Sequence, residues 1–211
     1  MDKKLHLGIK SQPDDTTCGP TCLHAVYTYF GDKISLDKVI GQVKQLKGGG
    51  TLAVLLGCHA LRRGYRAKLY TFNLQVFDPT WFAPGAPAIE ERLTTQMKVK
   101  KNSKIRTASK AYLDFLRLGG RICFEDLTSS LIRGLLKRSI PILTGLSATF
   151  LYRTARETAL GKKMVYHDIH GEPTGHFVVL CGYNMQDRTA LVADPQLPNP
   201  ISNSPIYTVR L

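Results

Sequence analysis

Cys18 stands in the segment SQPDDTTCGPTC, residues 11–22, with Gln12 six positions before it and Gly19-Pro20 directly after it. A cysteine attacks as its thiolate, and the unpaired N–H groups and dipole of a helix N-terminus favour that anion. Cys18 is placed where a helix should begin: Thr16 or Thr17 supplies a cap, Pro20 suits the first turn and Gly31 ends it. Gly19 lets another backbone or a substrate come close. The Gln12 amide, on the incoming loop, is positioned to join the Cys18 N–H in holding an oxyanion, a donor worth roughly 3–4 kcal/mol in such chemistry. Cys22 lies one turn further on and reads as a core thiol. The alternative for this stretch is a buried helix-start cysteine beside an ordinary loop glutamine.

A nucleophilic cysteine needs a distant histidine and an Asn or Asp, brought near by the fold. Six histidines compete. His24 and His59 read as helix residues, His6 belongs to a mobile N-terminus, and His167 and His170 lie in the polar loop YHDIHGEPTG. His176 differs: it follows Gly175 and opens the apolar strand GHFVVLCGYN, a rigid place for a site residue. The next strand, RTALVADP, ends in Asp194, and Pro195 stops it. A hairpin turn of odd length centred on Met185 sets residue 176 opposite 194, near enough for the carboxylate to orient the imidazole. A slip of one residue sends Asp194 to the other face.

Further elements must hold these residues. After the first helix, Ser35 caps a second through about Leu46, and Thr51 starts a third in TLAVLLGCHALRRG. YRAKLYTF alternates as a strand, and residues 73–106 read as loops and short helices. SKAYLDFLRLGG and TSSLIRGLLKRS read as helices, RICFE and PILTGLS as strands. Helices early and strands late predict an α+β fold, a helical lobe on an antiparallel sheet. The length of 211 residues predicts a single domain, with the helical lobe at about 1–65, a variable middle at about 73–170 and the hairpin at about 175–195.

With Gln12, Cys18, His176 and Asp194 in that order, the chain resembles the papain-like cysteine peptidases. It is most similar to the double-glycine leader (bacteriocin-processing) peptidases and their stand-alone bacterial relatives. SQPDDTTCGPTC at the front, and GHFVVLCGY and VADP at the back, carry the resemblance. It implies a papain-like fold with Cys18 as nucleophile, His176 as general base and acid, Asp194 as orienter and Gln12 as oxyanion donor. It implies a peptide or protein substrate and no cofactor. The leader peptidases usually precede a transporter membrane domain and an ATPase, and this sequence contains neither. The segment LSATFLYRTARE lies outside the matching motifs.

Arg153 and Arg156 of that segment are candidates to clamp a substrate carboxylate, beside Gly175; at helical spacing they also suit a plain charged surface. The net charge of +13 fits an acidic substrate or partner, and no nucleic-acid signature accompanies the basic MKVKKNSKIR. Cys18 and Cys22 lack a second ligand pair, and the histidines of HDIHGEPTGH lack the tight spacing of a metal site, so no metal is expected. The N-terminus carries charge without an apolar stretch behind it, and no run approaches the roughly 18 apolar residues of a membrane span. Five free cysteines then fit a reduced, cytoplasmic protein. Two other functions use the same residues or none of them: an acyl or peptidyl transferase on the same scaffold, and a non-catalytic basic module binding an acidic partner.

Overall fold

The computed structural model describes residues 2–46, 48–161 and 163–210. In chain order the elements are strand β1 (Lys3–Lys4), helices α1 (Cys18–Tyr29), α2 (Leu36–Gln42) and α3 (Ala53–Arg62), strand β2 (Lys68–Tyr70), a 3-10 turn (Pro79–Phe82), helices α4 (Ile89–Val99) and α5 (Ser103–Arg117), and strand β3 (Arg121–Cys123). Helix α6 (Ser129–Lys137), strand β4 (Ile142–Ser147) and helix α7 (Ala148–Tyr152) follow, then strands β5 (Glu157–Leu160), β6 (Lys163–Tyr166), β7 (Gly175–Asn184), β8 (Thr189–Ala193) and β9 (Ile206–Arg210). The chain divides into two compact units, Met1–Gly41 with Ser129–Leu211, and Gln42–Thr128.

The first unit is built on a five-stranded antiparallel sheet in the order β1-β7-β8-β9, with β4 also paired to β7. β4 and β1 share one edge of β7, β4 against 175–180 and β1 against 182–183. Most of β7 is buried, as its unbroken apolar run requires. One core joins Cys22 and Ala25 of α1 and Leu136 of α6 to Val179, Cys181, Leu191 and Ala193. A second gathers Val178, Leu180, Ala190, Val192 and Tyr207. The N-terminal residues are not loose. The Asp2 and Leu5 N–H groups donate to the carbonyls of Tyr183 and Cys181, and Leu5 and Leu7 are buried. In α1, Leu23 and Tyr27 are buried while Phe30, at the C-cap, is half exposed.

The β7–β8 hairpin departs from the odd turn centred on Met185. Asn184 pairs with Thr189, so residues 185–188 form an even loop. That ladder, continued without interruption, would set Asp194 opposite Val179, on the face away from His176. A β-bulge between Leu180 and Gly182 takes up one residue, and beyond it Val179 pairs with Ala193. One step further along this register, Asp194 lies opposite Val178, on the same face as His176 and diagonal to it. The side chains thus share a face through two offsets that cancel, an even turn and a bulge.

The second unit has its own core of Val54, Leu55, Phe77, Leu93, Tyr112 and Phe115, among others. Residues 73–106, expected to hold loops and short helices, contain the eleven-residue α4, with Glu90 and Glu91 in its first turn and Lys98 in its last, each favoured by the helix dipole. Asn102 caps α5, accepting from the Lys104 and Ile105 N–H groups at 2.9 and 3.3 Å, which starts this helix ahead of SKAYLDFLRLGG. α2 stops at Gln42, short of Leu46. Strands β2 and β3 pair in parallel. Among the described residues, no helix is long and apolar enough to cross a membrane.

Candidate active site

Cys18 is the first residue of α1, preceded by Thr17 at the N-cap. No described side chain caps this helix; the Thr17 hydroxyl is engaged instead with Asp14, donating to its carbonyl at 3.0 Å. The expected threonine cap is therefore absent, because the Asp14 turn competes for the hydroxyl. Among the described residues, no side chain then caps the first N–H groups of α1, at the point where the thiol sits.

His176 is buried, and so is Asp194. The His176 Nε2–H donates to Asp194 Oδ1 at 2.9 Å, since an ionised carboxylate only accepts. The Cys18 side chain lies close enough to the same imidazole to raise its proton affinity. Burial opposes a charge on His176, but the hydrogen bond to Asp194 and the nearby Asp194 and Cys18 side chains outweigh it, raising the imidazole to about 9. Asp194 behaves in the opposite sense. Burial opposes its ionisation, yet hydrogen bonds from His176, Tyr207 and the Gln196 N–H hold its carboxyl below the usual range. Cys22 has no such company: its thiol donates to the Phe177 carbonyl at 3.2 Å, and burial pushes it well above the ordinary thiol value. Two cysteines one helical turn apart are thus separated by environment.

Gln12 is tied to the same corner by its backbone, its N–H donating to the Pro195 carbonyl at 2.8 Å, one residue past Asp194. Its side-chain Nε2 donates to the Asp14 carbonyl at 3.0 Å. Its Oε1 is buried and has no hydrogen-bond partner among the described residues. The amide keeps one N–H beyond the bond to Asp14.

A cavity of about 500 Å³ is lined by Ser147, Phe150, Arg153, Arg156 and Asp168, among others. Of its lining residues, Ser147 stands opposite exposed Gly175 in the β4–β7 pairing, next to the Leu146–His176 pair. Arg153 and Arg156 are not on one helical face. α7 ends at Tyr152, Arg153 follows in the left-handed conformation at φ 56°, and Arg156 precedes β5. The Arg153 guanidinium lies 4.2 Å from the Phe150 ring centre, and Arg156 donates to the Asp168 carbonyl.

The sequence reading passed over two residues that contact this centre. Tyr152 and Tyr207 donate their hydroxyls to Asp194 Oδ2 at 2.8 and 2.5 Å. A tyrosine in an apolar helix or strand looks like packing, and nothing in the sequence separates these two from the other seven. Among the described residues, no group of three or more His, Cys, Asp or Glu side chains is placed to hold a metal ion. HDIHGEPTGH instead turns on itself, His167 Nδ1 accepting from the N–H groups of Ile169 and His170.

Helices with an antiparallel sheet in a mixed α+β arrangement are consistent with the fold of the papain-like peptidases. Comparison with known families agrees. The chain belongs to the Peptidase_C39-like family, whose model matches residues 4–200. No curated protein and no solved structure gave a match.

Proposed function

We propose that the protein is a cysteine peptidase that hydrolyses a peptide bond with Cys18, His176, Asp194 and Gln12. Cys18 sulfur adds to the scissile carbonyl carbon. The oxyanion that forms takes hydrogen bonds from the Cys18 N–H and the free N–H of Gln12. His176, held by Asp194, gives its proton to the leaving amine as the C–N bond breaks and a thioester remains. It then takes a proton from water, whose oxygen displaces the sulfur and releases the acid. The observation that carries this reading is the imidazole hydrogen-bonded to buried Asp194, with its proton affinity raised by the Cys18 side chain at the start of α1.

The substrate is a peptide or protein segment bound in the cavity beside Gly175, where Arg153 and Arg156 take an acidic side chain or carboxylate. The two guanidinium groups and the overall positive charge support this acidic preference. Incubating the wild-type protein and Cys18→Ala with a mixed peptide library, acidic members included, and reading the products by mass spectrometry tests the reading. Cleavage is expected from the wild type, biased to acidic peptides, and none from Cys18→Ala. Undiminished cleavage by Cys18→Ala would contradict it.

A further inference from the structure

Asp194 is fully buried and accepts four hydrogen bonds. Oδ1 takes the His176 Nε2–H and, at 2.9 Å, the Gln196 N–H. Oδ2 takes the two tyrosine hydroxyls. A carboxylate offers about four lone-pair sites, so this one is saturated. The donors come from different elements. Tyr207 lies on β9 opposite Val192, so it shares a face with Asp194 two residues on. His176, Asp194 and Tyr207 thus lie across one face of three adjacent strands. Tyr152 reaches the carboxylate from the end of α7, its ring centre 5.8 Å from that of His176.

We propose that Tyr152 and Tyr207 are positioning residues, a two-hydroxyl clamp that keeps Asp194 anionic and fixed in rotation so that it holds His176 toward Cys18. The inference rests on the peptidase reading and adds to it two residues, of which Tyr207 lies beyond the 4–200 stretch matched by the family model. Both hydroxyls must donate, because the ionised carboxylate has no proton to give. Burial and the Asp194 charge push both phenols up, so they stay protonated donors wherever the enzyme works. Without them, Oδ2 is a bare anionic oxygen in a place closed to water, and the group is free to turn its charge away from the imidazole.

Tyr152→Phe and Tyr207→Phe remove one hydroxyl each and keep the ring. The test needs no substrate: iodoacetamide labelling of Cys18 is timed at about pH 6, below the ordinary thiol range, with thermal melting of each variant alongside. Wild type is expected to label fast, and each variant about tenfold slower, the effect of losing one hydrogen bond to a charged group, with slowing that fades toward alkaline pH. A merely structural role would lower the melting temperature and leave the labelling rate of the folded protein at pH 6 unchanged; no role at all would change neither. Either result would overturn the clamp. Should one variant fail to fold, the other decides alone. Slow wild-type labelling at pH 6 would instead remove the peptidase reading, and the clamp with it.

Discussion

At the scale of single residues, the site is a contest between burial and hydrogen bonding, and its outcome is measurable as stability. His176 titrates near 9 in the fold against an ordinary value of 6.5. A raised imidazole contributes stability that is complete below about pH 6.5 and is lost as pH rises through about 9. The span corresponds to about 3 kcal/mol. Urea unfolding from about pH 6 to 9 is therefore expected to show a fall that His176→Gln abolishes; equal slopes in both proteins would contradict the ion pair. The residues with the rarest chemistry were the legible ones. Cys18, His176 and Asp194 could be picked out because each stands at the start or end of an element, where a reactive side chain is held rigid and exposed to its partner. Tyr152 and Tyr207 were not legible, because one hydroxyl reaches Asp194 from the end of a helix and the other across strands, and no local pattern encodes either contact.

At the scale of elements, the β7–β8 hairpin carries the lesson. Its strands were evident from GHFVVLCGYN and RTALVADP, and the meeting of residues 176 and 194 was expected from a turn of odd length. The turn is even, and the bulge at Cys181 restores the face. A bulge adds one residue without changing hydrophobic alternation enough to be seen, so the right pair emerged from a wrong register. Gly182, beside that bulge, is packed tightly: a Cβ there would come within 2.6 Å of the Lys3 carbonyl oxygen and 3.1 Å of Leu191 Cβ. Gly182→Ala is expected to push β1 from the edge of β7 and cost about 1–3 kcal/mol, read as a lowered urea midpoint. An unchanged midpoint would mean that β1 adds nothing to the sheet. Arg153 and Arg156 teach the converse. Helical spacing in the sequence did not make a helix, because α7 ends at Tyr152 and a left-handed residue follows.

At the scale of the whole molecule, the order of helices and strands was enough to give the α+β class, and the four site residues in order gave the family. The division at 41/42 and 128/129 was not legible, since no glycine- or proline-rich linker marks either place and each unit completes its core from ordinary helices and strands. All four proposed catalytic residues and both tyrosines fall in the unit formed by the two ends of the chain. The intervening 42–128 holds fifteen of the 29 basic side chains and six of the 16 acidic ones, so most of the excess positive charge lies there. The central claim concerns the first unit alone: Cys18 is a nucleophile made by His176. The most direct measurement is the rate of Cys18 alkylation against pH in wild type and His176→Ala, with Cys22, Cys58, Cys123 and Cys181 as internal references. Fast alkylation persisting well below pH of about 8.5 in wild type, and lost without His176, is the expected result. A Cys18 that reacts as slowly as the other four thiols, all buried as it is, or equally fast without the imidazole, would contradict it.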